Sequence, residues 1–195
     1  MSESRGQLVA PLTATALIAQ QVGSSAIRDG LFLSSFPVQT LPYFMAGAAL
    51  LSVPAAQLSG RVLRRFGPAR VVPVVLGTSA LLFFIEWGLF NWLPRAASVL
   101  LYLHSSVLGA IAISAFWSLL NERFDPHSAK PLMAGVAAAA SFGSLIGGVV
   151  AALLPQGALL LILGAVGGAC IAGAVVVGRG APPRRAGVEE PLDLV

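Results

Sequence analysis

The chain of 195 residues is 56% hydrophobic and only 10% charged. Soluble domains carry about 25% charged residues, so this composition excludes an ordinary water-exposed globule. The formal net charge of +4 could suggest nucleic acid, but the basic residues stand in short segments beside apolar stretches. Membrane insertion explains that placement, so we expect a lipid bilayer and no nucleic acid as the partner.

Charge-free stretches of membrane-spanning length divide the chain. A bilayer core is crossed by about 20 apolar residues in a helix. The longest stretch, Pro131 to Gly178, would be about 72 Å long as one helix, and Pro155-Gln156-Gly157 predicts a hairpin within it. We therefore predict an all-α polytopic membrane protein. Its six transmembrane helices cover about residues 8–33, 38–59, 70–92, 96–120, 131–153 and 157–178.

The basic residues decide the orientation of these spans. Ten of the twelve fall on one side of the predicted topology, and Arg28 and Arg95 fall on the other. The ten are Arg5, Arg61, Arg64, Arg65, Arg70, Arg123, Lys130, Arg179, Arg184 and Arg185. Because cytoplasmic loops are rich in Lys and Arg, we predict cytoplasmic N- and C-termini in a plasma (inner) membrane protein. Residues 179–195, rich in Pro, Gly and charge, are predicted to form a disordered cytoplasmic tail after the bundle of residues 1–178.

The first span has a second interpretation. Arg5, the apolar run Leu8–Ala19 and the small residues 23–26 would also suit a cleaved signal peptide. Cleavage would leave five helices, with the basic clusters unmatched at one end. The charge pattern therefore favours six spans.

Catalytic and metal-binding patterns are missing from the sequence. It contains no GxSxG, HExxH or Walker motif, so we predict that the chain is not an enzyme. Cys170 is alone, and His104 and His127 stand in different segments, which predicts no disulfide framework, metal site or cofactor. Placing a polar side chain within an apolar span costs free energy, so the polar side chains found there are the candidates for a solute path.

The first span carries the clearest polar stripe. Its members on one helix face are Thr13, Gln20, Ser24 and Arg28, widened by Gln21 and Ser25. This face could line a cavity and present a guanidinium to a solute. Alternatively, Arg28 and Asp29 form an ion pair at the outer interface, and the glutamines bond neighbouring helices.

Two titratable residues lie within later spans. Glu86 is the acid of the third span, and Ser79 stands seven residues earlier on the same face. His104 lies in the fourth span and is followed by two serines. Each could handle protons or contact a solute. Alternatively, Glu86 pairs with Arg28 or Arg95, and His104 is a hydrogen-bonding group between helices.

Small residues recur at every fourth position in the last two spans. They are Gly135, Ala139, Gly143, Gly147 and Ala151 in the fifth span, and Gly164, Gly168 and Ala172 in the sixth. Small side chains let helix backbones approach closely in lipid. We predict that both stripes are packing faces.

The segment between the second and third spans resembles the loop signature of major facilitator transporters, G-x-x-x-D-R-x-G-R-[RK]. Gly60, Arg65 and Gly67 match this signature, and Arg64 stands where the acid belongs. These four residues are candidates for a conformational loop, as are Glu122 and Asp125 between the fourth and fifth spans. Asp125 is placed to cap a helix that begins at Pro126.

Three further stretches resemble the first six helices of the ATP:ADP antiporter branch of that superfamily, with RDxL, FWxLxxxxF and GxxGxxxG-like patterns. They are residues 28–33, 116–125 and 143–148. The resemblance implies a half bundle of two inverted three-helix repeats that holds its solute near the bilayer midplane. Such transporters have twelve helices, so it also implies a homodimer or a second six-helix half as the partner.

Two functions follow as alternatives. The first is a facilitator-type secondary transporter, or half of one, that moves a small-molecule solute. The second is a non-transporting membrane scaffold or assembly protein that retains the bundle. Transport is favoured if Gln20, Ser24 and Arg28 face the bundle axis with Glu86 or His104 opposite. A scaffold is favoured if they face a groove on the lipid side.

Overall fold

The computed structural model describes residues 2–124 and 130–179, and within these ranges the regular structure is entirely helical. The helices are α1 (Ser2–Ser35), α2 (Leu41–Phe66), α3 (Pro68–Trp92), α4 (Pro94–Leu103), α5 (Gly109–Arg123), α6 (Lys130–Leu153) and α7 (Gln156–Gly178). A 3-10 turn, Val38–Thr40, precedes α2. A π-helical turn, His104–Leu108, joins α4 to α5 and is called the π-turn below.

In the described part of the chain, five helical segments are long and apolar enough to cross a membrane. They are Val38–Phe66, Pro68–Trp92, Pro94–Arg123, Leu132–Leu153 and Gln156–Gly178. This confirms an α-helical integral membrane protein, and the five segments overlap the second to sixth predicted spans. Helix α1 has 34 residues and is not among the five, since Gln20, Gln21 and several hydroxyl side chains lower its hydropathy. The segment Pro94–Arg123, which contains α4, the π-turn and α5, is called the fourth span.

The predicted end of the second span was wrong. Helix α2 continues past residue 59 to Phe66, so the basic segment is helical rather than a loop. Only Gly67 separates α2 from α3, with its N–H donating to the Leu63 carbonyl and a positive φ of 79° that favours glycine. Pro68 then begins α3, where its missing N–H removes no helical hydrogen bond.

Prolines also mark the other short turns, and the one at Pro155 was predicted. Leu93 alone separates α3 from Pro94, the first residue of α4. Pro155 precedes α7 with an extended backbone, so the long charge-free stretch is a helical hairpin. The predicted cap at Asp125 and Pro126, and residues 180–195 of the predicted tail, lie outside the described residues.

Contacts near the helix termini assign them to two ends of the bundle. Gly6 lies beside the Phe124 ring and Gly178 beside Ala69, so the start of α1, the α2–α3 turn and the ends of α5 and α7 are together. This is the basic end, because the described members of the ten-residue basic set lie there. Gly30 lies beside Gln156, which marks the opposite end.

Helix α1 occupies a central position, packed against α6, α7 and the fourth span. Helix α3 packs along α7 and against the fourth span, while α2 packs mainly beside the π-turn. Two apolar clusters fill these contacts. One, around Leu17, Leu76 and Phe116, lies toward the basic end, and the other, around Phe83 and Leu101, lies toward the opposite end.

Helices α2 and α6 are the least enclosed elements. Ala48 is the buried residue of α2, and large apolar side chains such as Leu50 on α2 and Leu145 on α6 are exposed. In a bilayer these faces would contact lipid or another membrane protein.

Candidate functional site

The π-turn is where polar side chains from α1 and α3 meet. It begins ten residues after Pro94, about 15 Å along the fourth span, which is half the thickness of a hydrocarbon core. A π-turn shifts the helical hydrogen bonds by one residue and is frequent at functional sites. Its residues His104, Ser105 and Ser106 each contact a polar side chain of another helix.

On the α3 side, His104 links two residues of that helix. Its Nδ1 is 2.8 Å from Oε1 of Glu86, and its Nε2 is 2.9 Å from Oγ of Ser79. The Phe83 ring packs edge-on against the imidazole at 4.7 Å between centroids. Glu86 is 0% and His104 5% exposed. Oε2 of Glu86 has no hydrogen-bond partner within the described part of the chain.

These contacts identify the hydrogen-bond partners of both residues. Glu86 is bonded to His104, so its predicted pairing with Arg28 or Arg95 was wrong. His104 does connect two helices, as one interpretation proposed, but its partner is a carboxylate. The seven-residue spacing of Ser79 and Glu86 matters because it places both side chains on the face of α3 toward the imidazole.

On the α1 side, Gln21 and Arg28 reach the same turn. Nε2 of Gln21 donates to the Ser105 carbonyl at 3.4 Å. Nη1 of Arg28 donates to Oγ of Ser106 at 3.2 Å, and the guanidinium lies over the Tyr102 ring at 5.1 Å.

Arg28 also pairs with its neighbour in sequence. Its Nε is 2.8 Å from Oδ1 of Asp29, as one interpretation predicted, and the Arg28 side chain remains 21% exposed. Asp29 itself is exposed. The guanidinium therefore has one anionic partner that faces solvent and one hydroxyl partner on the π-turn.

The predicted stripe on α1 is divided between two neighbours. Gln20 is buried, and its Nε2 donates to the Leu163 carbonyl of α7 at 2.8 Å. Ser24 is buried and bonds the Gln21 carbonyl within α1. Adjacent residues of a helix differ by about 100° in direction, so Gln20 faces α7 while Gln21 faces the π-turn.

A groove adjoins the π-turn on the other side of the fourth span. Its volume is about 430 Å³, and it lies between α2 and α5. Val107 of the π-turn, Ser52 and Ser59 of α2 and Ser114 of α5 are among its lining residues. Ser52 and Ser59 were not among the predicted site residues. Their seven-residue spacing, which places both on one face of α2, is the pattern in the sequence that could have identified them.

The candidate loop residues cluster at the basic end. Arg64 and Glu122 are exposed, and the Arg65 guanidinium lies over the Phe66 ring at 5.3 Å. Gly67 forms the turn described above, and Gly60 lies within α2 and lines the groove. The remaining candidate, Asp125, lies outside the described residues.

No group of three or more His, Cys, Asp or Glu side chains that could hold a metal ion is present in residues 2–124 and 130–179. Comparisons with protein-family models, curated proteins and solved structures give no match for this chain. Its function therefore has to be argued from the site.

Proposed function

We propose that this chain is a facilitator-type secondary transporter, or half of one, that moves a small solute across the plasma (inner) membrane. The observation that carries the proposal is the convergence of Arg28, Gln21, Glu86 and His104 on a π-turn that begins about 15 Å from the start of the fourth span. Burying ionisable groups at this depth costs free energy that a bundle with only a structural role has no reason to spend. Such groups are typical of solute and proton paths.

In this proposal helix α1 is the first of six spans, in addition to the five apolar helical segments. It runs from Gly6 at the basic end to Gly30 at the opposite end, so it covers the length of the bundle. Its polar residues Thr13, Gln20 and Ser24 are buried against protein rather than lipid, which removes the penalty that their low hydropathy would otherwise imply. With six spans, both termini lie at the basic end, which we assign to the cytoplasm.

The packing pattern supports two inverted three-helix repeats. Helix α1 packs against α7 and α6, and the fourth span packs against α3 and α2. Exchanging the first span with the fourth, the second with the fifth and the third with the sixth converts one set of contacts into the other. The contacts of α3 with α7, and of α1 with the fourth span, map onto themselves. This exchange is the one expected of a facilitator-type half bundle.

Arg28 is the residue that we assign to solute binding. Its guanidinium is held by the Tyr102 ring and by Ser106, and its Nε contacts the carboxylate of Asp29. An anionic group on a solute would compete with Asp29 for this planar, permanently charged donor. The groove between α2 and α5 is mainly apolar, and its three serines place hydroxyl groups near the same turn.

A complete carrier needs a second bundle, because alternating access moves two bundles around one site. The least enclosed helices, α2 and α6, would face that second bundle. We propose a homodimer or a separate six-helix half. The same exposed faces favour the second candidate function, a scaffold that binds a membrane partner and transports nothing.

Counterflow in proteoliposomes tests the proposal. Vesicles preloaded with each of a panel of unlabelled anionic, neutral and cationic metabolites are given the labelled compound outside. We expect exchange of at least one compound, at least about tenfold loss in Arg28→Ala, since one lost charged contact is about 1.5–3 kcal/mol, and little change in the exposed control Arg95→Ala. A folded chain that exchanges nothing above protein-free vesicles would favour the scaffold.

A further inference from the structure

We propose that Glu86, His104 and Ser79 form a proton-binding site that couples solute movement to a pH gradient. The coupling role rests on the proposed transport function, whereas the proton site rests on its own geometry. Three polar groups stand in one hydrogen-bonded row between α3 and the fourth span, with distances of 2.8 and 2.9 Å. Glu86 and His104 are both more than nine-tenths buried.

The first argument concerns Ser79. A hydroxyl both donates and accepts hydrogen bonds. It can donate to Nε2 of a neutral His104, and it can accept from the N–H that Nε2 carries in the imidazolium. The imidazole therefore keeps both its contacts, to Ser79 and to Glu86, whether the pair holds an additional proton or not. A group that could only donate, or only accept, in place of the Ser79 hydroxyl would bond Nε2 in only one of the two protonation states of the imidazole.

The second argument concerns net charge. With one proton shared between carboxylate and imidazole in addition to the ordinary imidazole N–H, the pair is neutral overall. When that proton leaves to water, the pair keeps one negative charge, and an isolated buried charge is expensive. The proton enters by forming an O–H or N–H bond with a proton delivered by water, and it leaves by the reverse step. Release therefore requires water to reach the pair.

Among residues 2–124 and 130–179, no further charged group is hydrogen-bonded to the Glu86–His104 pair. Away from the basic end, the other titratable or charged side chains on the elements packed against α3 and the π-turn are Arg28, Asp29, Tyr43, Arg95, Tyr102 and Cys170. Arg28 is engaged by Asp29 and Ser106, and Arg95 is exposed at the start of α4. The hydrogen-bonded partners of the imidazole are Glu86 and Ser79.

The third argument connects the proton to the solute. His104 is the first residue of the π-turn, and Ser106, which holds Arg28, is the third. One turn of backbone therefore carries both a contact of the proton site and a contact of the proposed solute site. Opening the seam between α3 and the fourth span would admit water to Glu86 and would move Ser106 relative to Arg28. Proton release and solute release are thereby linked mechanically.

Infrared difference spectra test the proton site without any solute. Spectra of the full chain in phosphatidylethanolamine–phosphatidylglycerol vesicles are recorded between pairs of pH values over the range in which it stays folded. We expect a pH-dependent carboxyl band that Glu86→Gln removes and that Glu122→Gln, which alters an exposed carboxyl, leaves in place. If Glu86→Gln does not fold, His104→Gln reports on the same pair and should shift the band. A spectrum that neither substitution changes would overturn the proposal.

A transport experiment then tests the coupling, with a compound identified by counterflow. For one proton carried with each singly charged anionic solute, the movement is electroneutral and a gradient of one pH unit sustains up to about tenfold accumulation. We expect wild type to accumulate solute, and Glu86→Gln and His104→Gln to reach a ratio of about one while counterflow persists. Variants that accumulate like wild type would refute coupling and leave transport intact. If wild type shows no counterflow, the transport function and the coupling both fail, and the infrared result still decides the proton site.

Discussion

Substitution of Gly147 by alanine tests the placement of α1 against α6. A Cβ at this position would collide with the Ala19 backbone of α1, and one at Gly143 would collide with the Thr15 backbone. Because the obstacle is backbone, a side-chain rotation cannot relieve it and the two helices must separate.

The expected magnitude follows from two terms. Overpacking of a close contact costs about 1–3 kcal/mol. Separation of the helices also lengthens the bond from Thr15 Oγ1 to the Ala139 carbonyl, now 3.0 Å, and an interhelical bond in a membrane protein contributes about 0.6 kcal/mol. We therefore expect Gly147→Ala to reduce the free energy of unfolding by about 1.6–3.6 kcal/mol relative to a matched control.

Gly148→Ala is that control, because a Cβ on Gly148 meets nothing within 4 Å. Both substitutions change the helical propensity of α6 by the same amount, about 1 kcal/mol in water, so this contribution cancels in the comparison. Unfolding in mixed micelles by a denaturing detergent, followed by tryptophan fluorescence, measures the difference. Equal stability of the two variants would show that α1 and α6 do not approach at Gly147, and the central position of α1 would be wrong.

Three further predictions concern topology and solute binding. In a Cys170→Ser background, a cysteine at Ser34 should react with an impermeant reagent from outside the cell, and one at Arg65 should react only after the cell is opened; outside labelling at residue 65 would reverse the orientation inferred from basic residues. Arg28→Lys should restore only part of the counterflow lost in Arg28→Ala, because the ammonium lacks the planar fork; full restoration would show that charge alone is needed. Gln21→Leu should weaken exchange less than Arg28→Ala, since it removes a neutral bond, and an equal loss of counterflow would contradict this ranking.

Residue spacing along one helix could be interpreted from the sequence, whereas contacts between helices could not. The polar residues of α1 could be identified because their spacing is a property of one helix. The neighbour that each contacts could not, since Gln20 bonds α7 and Gln21 bonds the π-turn. The partner of Glu86 was missed for the same reason: His104 lies eighteen residues later, on another helix.

The small residues of the last helix give a second example. The predicted stripe included Gly168, yet a Cβ there would meet nothing within 4 Å. Gly167, one residue earlier, is the position that admits the Gln20 amide, and Gly173 is the position that lies against Thr13. Periodicity identifies a stripe of small residues, but the orientation of the helix about its axis decides which glycines are at the contact.

The sequence by itself determined that the chain is an α-helical membrane protein, and it placed most of the turns between helices. Charge-free length, the proline at residue 155 and the bias of basic residues are properties of short segments, so no partner helix is needed to interpret them. Only the tertiary structure decided that α1 is central, that the fourth span contains a π-turn and that Glu86, His104 and Ser79 form one row. These features depend on which helix faces meet, and that is set by the packing of the whole bundle rather than by any single segment.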